Sequence, residues 1–230
     1  MFRLLFMGDS TMQQNFEDTF PQVGWPQALP LFLRPNVVSI LNFAHNGCST
    51  KSFRDLGYFD ELLKHAKKGD YCFIEFGHND EKENNPLRYT HPFIEYKENL
   101  NYFIDKLENK GVTPILLTPV YRRMFKDGHP DIDCHKDYPQ AMTEVAKERG
   151  VFLIDVTQKS MELLDKVGFD GSRRFFMNFD KGIYDNFKDG LNDNSHLRFD
   201  GAYEIAKIVV QALYDAKHPL RDILYFEEMK

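Results

Sequence analysis

No stretch of this chain approaches the roughly 20 consecutive apolar residues needed to cross a bilayer, and its basic residues never gather into a run. With a formal net charge of −6 and a pI near 5.8, it has no positive field to hold a phosphate backbone, so neither membrane nor nucleic acid is expected as a partner. Cysteine is scarce: Cys48, Cys72 and Cys134 are odd in number and show no CxxC spacing, which excludes a disulfide framework and a zinc knuckle. The opening apolar residues 1–7 are too few for a signal peptide's apolar segment, and no small-residue cleavage site follows them. Reduced thiols and a cytoplasmic location are expected. There is also no internal repeat, low-complexity segment or Pro/Gly/Ser-rich linker.

The chain has an ordinary globular balance, with 42% hydrophobic and 28% charged residues in 230. The expectation is a single domain over residues 1–230, with 168–195 a long loop and 218–230 a C-terminal tail whose apolar residues cover the domain or a partner subunit in a homo-oligomer. Short apolar runs at 3–7, 37–42, 71–76, 113–118 and 151–155 predict five strands buried on both faces. Helical periods lie between and after them, at 93–109, 139–149, 158–167 and 200–216. Such alternation predicts an α/β fold with a parallel sheet between helical layers, whose ligand site lies beyond the carboxyl ends of the strands.

Polar and glycine residues crowd that edge: Gly8-Asp9-Ser10-Thr11 after the first run, Asn46-Gly47-Cys48-Ser49 after the second, Gly77-His78-Asn79-Asp80 after the third and Pro119-Val120-Tyr121-Arg122 after the fourth. A serine hydroxyl is a poor nucleophile at neutral pH unless a base lies within hydrogen-bond reach and a third group orients that base. Asp193-Asn194-Ser195-His196 supplies both partners just before the last helix, so Ser10, His196 and Asp193 are the candidate nucleophile, general base and orienting carboxylate. Candidate oxyanion donors are the backbone N–H groups of Gly47 and Ser10, the latter if a helix begins there, and the Asn79 amide. Asp9 is assigned a structural task at the start of that helix.

These four blocks, in this order at strand ends, resemble the SGNH or GDSL-type hydrolases. Within that class, Thr11, His78, Thr118-Pro119-Val120-x-Arg122 and His196-x-x-x-x-Gly201-Ala202 resemble the rhamnogalacturonan acetylesterases. The resemblance implies a flavodoxin-like three-layer α/β/α sandwich with a five-stranded parallel sheet and removal of acetyl groups from acetylated, pectin-derived oligosaccharides. It also implies no cofactor, a Ser10, Asp193, His196 triad, and an oxyanion hole of Ser10, Gly47 and Asn79. Thr11, His78 and Arg122 become candidate substrate contacts, His78 being equally a scaffold histidine. Many such relatives carry a basic residue directly after the block-two glycine; Cys48 stands here and is read as a small wall residue.

Competing readings are a thioesterase or lysophospholipase on the same scaffold, and a carbohydrate-binding protein without catalysis, which would have no use for a complete triad. Asp127, His129, Asp131, Asp133 and His135 match no familiar ligand spacing and are read as a solvated acidic loop rather than a metal site. The aromatics Phe169, Phe175, Phe176, Phe179, Tyr184 and Phe187 are expected to anchor the long loop rather than to stack on sugar rings.

Overall fold

The structure is a computed structural model that describes residues 2–225. The strands, in chain order, are β1 (Arg3–Gly8), β2 (Ser39–Asn42), β3 (Tyr71–Glu75), β4 (Thr113–Leu117), β5 (Phe125–Lys126), β6 (His129–Pro130), β7 (Phe152–Ile154), β8 (Phe176–Phe179) and β9 (Leu191–Leu197). The helices are α1 (Thr50–Asp55), α2 (Tyr58–His65), α3 (Lys97–Asn109), α4 (Tyr138–Arg149), α5 (Val156–Ser172) and α6 (Phe199–Asp215). They form two compact units. The first comprises the N-terminal segment to Gln13, Val38–Pro119 and His135–Thr157; the second comprises Gln14–Val37, Val120–Cys134 and the chain from Gln158 onward.

In the first unit, the five expected apolar runs pair as one parallel sheet in the order β2-β1-β3-β4-β7, the flavodoxin-like order. The runs are apolar because both faces are covered: Leu4 to Met7 of β1 are at most 1% exposed. One face packs Leu5, Met7, Ile74 and Leu116 against Phe53 of α1, Phe59 of α2, Phe103 of α3 and Tyr138 of α4. On the other face Leu4, Phe6, Phe73, Ile115 and Leu117 are equally buried, and the rings of Phe6 and Phe73 stack at 4.9 Å. The sheet winds in opposite directions on either side of β1, so the residues following β1 emerge at the switch point, where a ligand crevice is expected.

The second unit holds two antiparallel pairs, β5 with β6 and β8 with β9, together with α6 and most of α5. Here the sequence expectation is corrected: residues 168–195 are no extended loop. They contain the end of α5 beyond a break at Gly168, all of β8 and most of β9. The expected anchoring aromatics explain why this segment is ordered, since Phe175, Phe176 and Phe179 are buried and Phe179 meets Tyr184 at 4.7 Å. The described part of the tail covers its own unit, with Leu220 and Leu224 buried and Leu224 bridging to Leu33; the rest of the tail, 226–230, lies outside the described residues. Among the described residues no helix is long and apolar enough to cross a membrane.

Gly8 ends β1 opposite Glu75, and a Cβ added there would lie 2.5 Å from the Glu75 carbonyl oxygen and 3.1 Å from Met12 Sδ. Backbone oxygen cannot move aside as a flexible side chain can. Gly8→Ala is expected to lower unfolding free energy by about 2 kcal/mol, as an overpacked interior site does, read as a drop in the urea midpoint.

Candidate active site

Ser10 follows β1 in a single helical turn, closed by Gln13 N donating to the Asp9 carbonyl at 3.0 Å. The helix expected to start here does not form. Asp9 caps the turn from within, its Oδ1 accepting the Thr11 N–H at 3.0 Å. Ser10 is 8% exposed.

Beneath this turn lies a buried polar cluster. Asp9 Oδ2 is 3.2 Å from His78 Nδ1, and the Thr11 hydroxyl lies 2.9 Å from Asp9 Oδ1 and 2.6 Å from Glu75 Oε1. Burial by itself raises the Asp9 carboxyl, but the charge and hydrogen bond of His78, with the Thr11 donors, hold it below its ordinary value. Thr11 and His78 were candidate substrate contacts; both residues are buried, at 1% and 5% exposure, and lie beneath the Ser10 turn. His135, expected in a solvated loop, is also buried, its ring 4.6 Å from that of His78 and its Nδ1 3.3 Å from Glu81. Of the expected acidic loop, His129 is exposed and pairs with Asp165 at 2.8 Å. The ligand atoms of Asp9, Glu75 and His78 lie within 4.8 Å of one another, and the Thr11 hydroxyl lies between the two carboxyl groups.

Gly47 adopts φ +74°, a conformation glycine takes without strain, and its N–H donates to no acceptor among the described residues. The Ser10 N–H is equally uncommitted. Asn79 is buried; its Nδ2 donates one hydrogen to the Cys48 carbonyl at 3.0 Å, and its Oδ1 accepts from Arg88 Nη1 at 3.4 Å. An amide nitrogen carries two hydrogens, so one remains. Sequence reasoning passed over the residue that ties these loops together, Asp80. Its buried carboxylate accepts the Thr50 N–H at 3.1 Å, the Thr50 hydroxyl at 2.5 Å and the Thr90 hydroxyl at 2.8 Å. The glycine loop, the Gly77-His78-Asn79-Asp80 turn and the end of the 81–90 loop thus share one anchor.

In the second unit, Asp193 Oδ2 meets His196 Nδ1 at 2.6 Å, while Oδ1 accepts the Ser195 and His196 N–H groups at 2.8 and 3.0 Å. A proton on Nδ1 leaves Nε2 as a base. Burial pushes the Asp193 carboxyl up, but the hydrogen bond and charge of His196 and these backbone donors outweigh it and hold it at about 2. The turn stands proud of the hairpin: between the pairs Phe176–Leu197 and Asn178–Asn192, β8 advances two residues and β9 five.

Arg123 grips this half-buried turn. Its backbone N–H donates to the Asn194 carbonyl at 2.8 Å and its Nη1 to Asn194 Oδ1 at 3.2 Å, with Asn178 Nδ2 on the same oxygen at 3.0 Å. Its guanidinium rests 3.9 Å above the Phe169 ring. Arg122, the candidate substrate contact, donates to the Cys134 carbonyl at 3.4 Å. A cavity of about 630 Å³ in this unit is lined by Arg123, Phe169, Arg173, Asn178, Lys181 and Asn192, among others.

The GDSL-like lipase/acylhydrolase family model matches residues 6–197, from within β1 through the Asp193–His196 turn. The chain belongs to this family. As a GDSL-like acylhydrolase it is a carboxylic ester hydrolase. It is 34% identical over 228 residues to the rhamnogalacturonan acetylesterase RhgT of Bacillus subtilis (strain 168), covering 99% of this chain and 96% of RhgT. The crystal structure of the Bacillus subtilis protein YxiM superposes with a TM-score of 0.79 at 25% identity, over 95% of this chain and 57% of YxiM. Axe2, an acetylxylan esterase of Geobacillus stearothermophilus, shares the fold, with a TM-score of 0.64 at 16% identity over 92% of this chain and 93% of Axe2.

Asp80 generates a pH prediction for this acylhydrolase. Burial pushes its carboxyl up to about 7, against the hydrogen bonds from Thr50 and Thr90 that pull it down. A carboxyl raised in the folded state above its ordinary value of 3.8 contributes stability that is fully present below about pH 4 and is lost as pH rises through about 7. The urea midpoint of the native protein should therefore fall between pH 5 and pH 8 more steeply than that of Asp80→Asn. Parallel pH profiles would show Asp80 ionised throughout.

Proposed function

We propose that this protein is a serine acetylesterase acting on acetylated sugars derived from pectin, with Ser10 as nucleophile and His196 as base. The Asp193 Oδ2–His196 Nδ1 contact of 2.6 Å carries the reading, because it fixes the tautomer that can accept a serine proton. In the first step Ser10 Oγ attacks the acetyl carbonyl carbon as His196 Nε2 takes its proton. The oxyanion is met by the uncommitted N–H groups of Ser10 and Gly47 and by the second Nδ2 hydrogen of Asn79. His196 then returns the proton to the departing sugar oxygen, leaving an acetyl ester on Ser10, and water activated by His196 releases acetate.

The substrate class is supported by the resemblance to RhgT along nearly the whole chain. It is supported also by the cavity in the second unit, whose lining mixes Arg123, Arg173 and Lys181 with Asp170, Asp180 and Asp189. Such a mixed lining of donors and acceptors suits sugar hydroxyls, which do both, better than an acyl chain. The buried, unpaired Cys48, Cys72 and Cys134 suit a reducing compartment, and we place the reaction in the cytoplasm.

A long acyl chain gains ~0.8 kcal/mol per methylene only where apolar surface buries it. Values of kcat/KM for p-nitrophenyl acetate, butyrate and octanoate, set beside an acetylated pectic oligosaccharide, should fall with acyl length and be highest for the oligosaccharide. An octanoate rate above the acetate rate would make the protein a lipid esterase or thioesterase instead.

The catalytic assignment has its own measurement. Asp193→Asn should lower kcat by roughly 10³–10⁴ by withdrawing the acceptor that selects the His196 tautomer. Because the Asp193 carboxyl titrates at about 2, this loss should be as large at pH 5 as at pH 8. A loss that vanished at pH 5 would detach Asp193 from His196 in the reaction.

A further inference from the structure

The first unit contains four arginines. Arg3 pairs with Asp70, Arg54 with Asp55 at 3.3 Å, and Arg149 with Asp105 at 2.6 Å and Glu108 at 3.0 Å. Arg88 is the exception: it is half-buried, yet it has no carboxylate partner among the described residues. Of its five N–H donors one is spent, at 3.4 Å, on Asn79 Oδ1.

Its position is built rather than incidental. The 81–90 loop leaves the Gly77-His78-Asn79-Asp80 turn and is returned to it by Thr90, whose N–H donates to the Asp80 carbonyl at 3.1 Å and whose hydroxyl donates to Asp80 Oδ1 at 2.8 Å. Just before that anchor, the Arg88 N–H closes a turn on the Asn85 carbonyl at 3.0 Å. The guanidinium is thereby laid over Gly47: a Cβ on that residue would meet Nη2 at 2.9 Å and Cζ at 3.2 Å. An uncompensated cation with unused donors lies against Gly47 and Asn79, two of the three groups assigned to the oxyanion.

A half-buried guanidinium loses hydration that only an acceptor can replace, and the planar fork matches a carboxylate in two parallel hydrogen bonds. We propose that Arg88 binds a carboxylate of the substrate, so that the acetyl group removed at Ser10 is carried on or next to an acidic sugar. This deepens the acetylesterase reading and rests on it for the identity of the bond broken. Arg88 would then determine specificity: the acidic sugar is held by its charge while the neighbouring ester is presented to Ser10.

The experiment compares one acetylated pectic oligosaccharide with free carboxylates and the same oligosaccharide with those carboxylates methyl-esterified, with p-nitrophenyl acetate as reference. The native enzyme should prefer the acidic form. Arg88→Gln should lower kcat/KM for the acidic form by about 10- to 100-fold, mainly through KM, as expected for loss of a charge-assisted bond, and should abolish the preference for it. Arg88→Lys should recover part of that preference, because the charge returns without the fork. An equal loss on all three substrates would overturn the proposal and make Arg88 a positioning residue for Asn79; an unchanged preference would overturn it as well. Binding of the unacetylated acidic oligosaccharide to Ser10→Ala, weakened by added salt and by Arg88→Gln, reads the carboxylate contact without catalysis. If that binding behaves as stated while the native enzyme releases no acetate, the acetylesterase reading falls and the Arg88 site stands.

Discussion

A carboxylate taken out of water has to be given donors by the fold, and Asp80 draws its donors from two separate loops. Thr50 supplies a backbone N–H and a hydroxyl from the start of α1, and Thr90 supplies a hydroxyl from the end of the 81–90 loop. Removing Asp80 would leave a buried hydroxyl pair unsatisfied; removing either threonine would leave a buried charge short of a partner. Three loops that carry Gly47, Asn79 and Arg88 are therefore held in register by one side chain. Burial raises its carboxyl to about 7 against those same hydrogen bonds.

The second unit handles a different problem, how to lift the Asp193–His196 pair out of an otherwise regular hairpin. β9 departs from β8 after Asn192 and rejoins it at Leu197, so Asp193 and His196 are released from the ladder. A turn freed in this way loses its strand hydrogen bonds, and Arg123 replaces them through the carbonyl and side chain of Asn194. Asp193 closes the turn locally by accepting two backbone N–H groups with the oxygen that does not face His196. The carboxylate thus serves as both the structural lock of the turn and the partner of the imidazole, which is why it resists protonation.

The two halves rest on different physics. The Ser10 turn is supported by a buried polar cluster of Asp9, His78, Thr11 and Glu75, drawn from the ends of β1 and β3. The His196 turn is half exposed and is held mainly by backbone bonds and by one arginine stacked on Phe169. Changes beneath Ser10 should be felt first as lost stability, and changes around Asn194 as lost orientation.

The apolar runs alone determined the parallel sheet, because a strand covered on both faces must be apolar throughout, and all five runs became strands with ends shifted by no more than two residues. The local spacing of Asp193 and His196 was legible for a similar reason: three residues are enough for a carboxylate to reach an imidazole within one turn. What the sequence could not show depended on residues distant in the chain. Thr11 and His78 look like surface polar residues beside a nucleophile until Glu75 and Asp9 are seen to enclose them. The resemblance pointed to Arg122, and the hold of its neighbour Arg123 on Asn194 came only from the approach of β9. The segment 168–195 reads as a loop because its strands are short and interrupted, and their pairing lies in hydrogen bonds between β8 and β9 rather than in either run of residues. Arg88 is one charge among many in a polar stretch. Its place over Gly47 was decided by Thr90 returning to Asp80, a contact that satisfies a buried carboxylate and leaves no periodic trace in the chain.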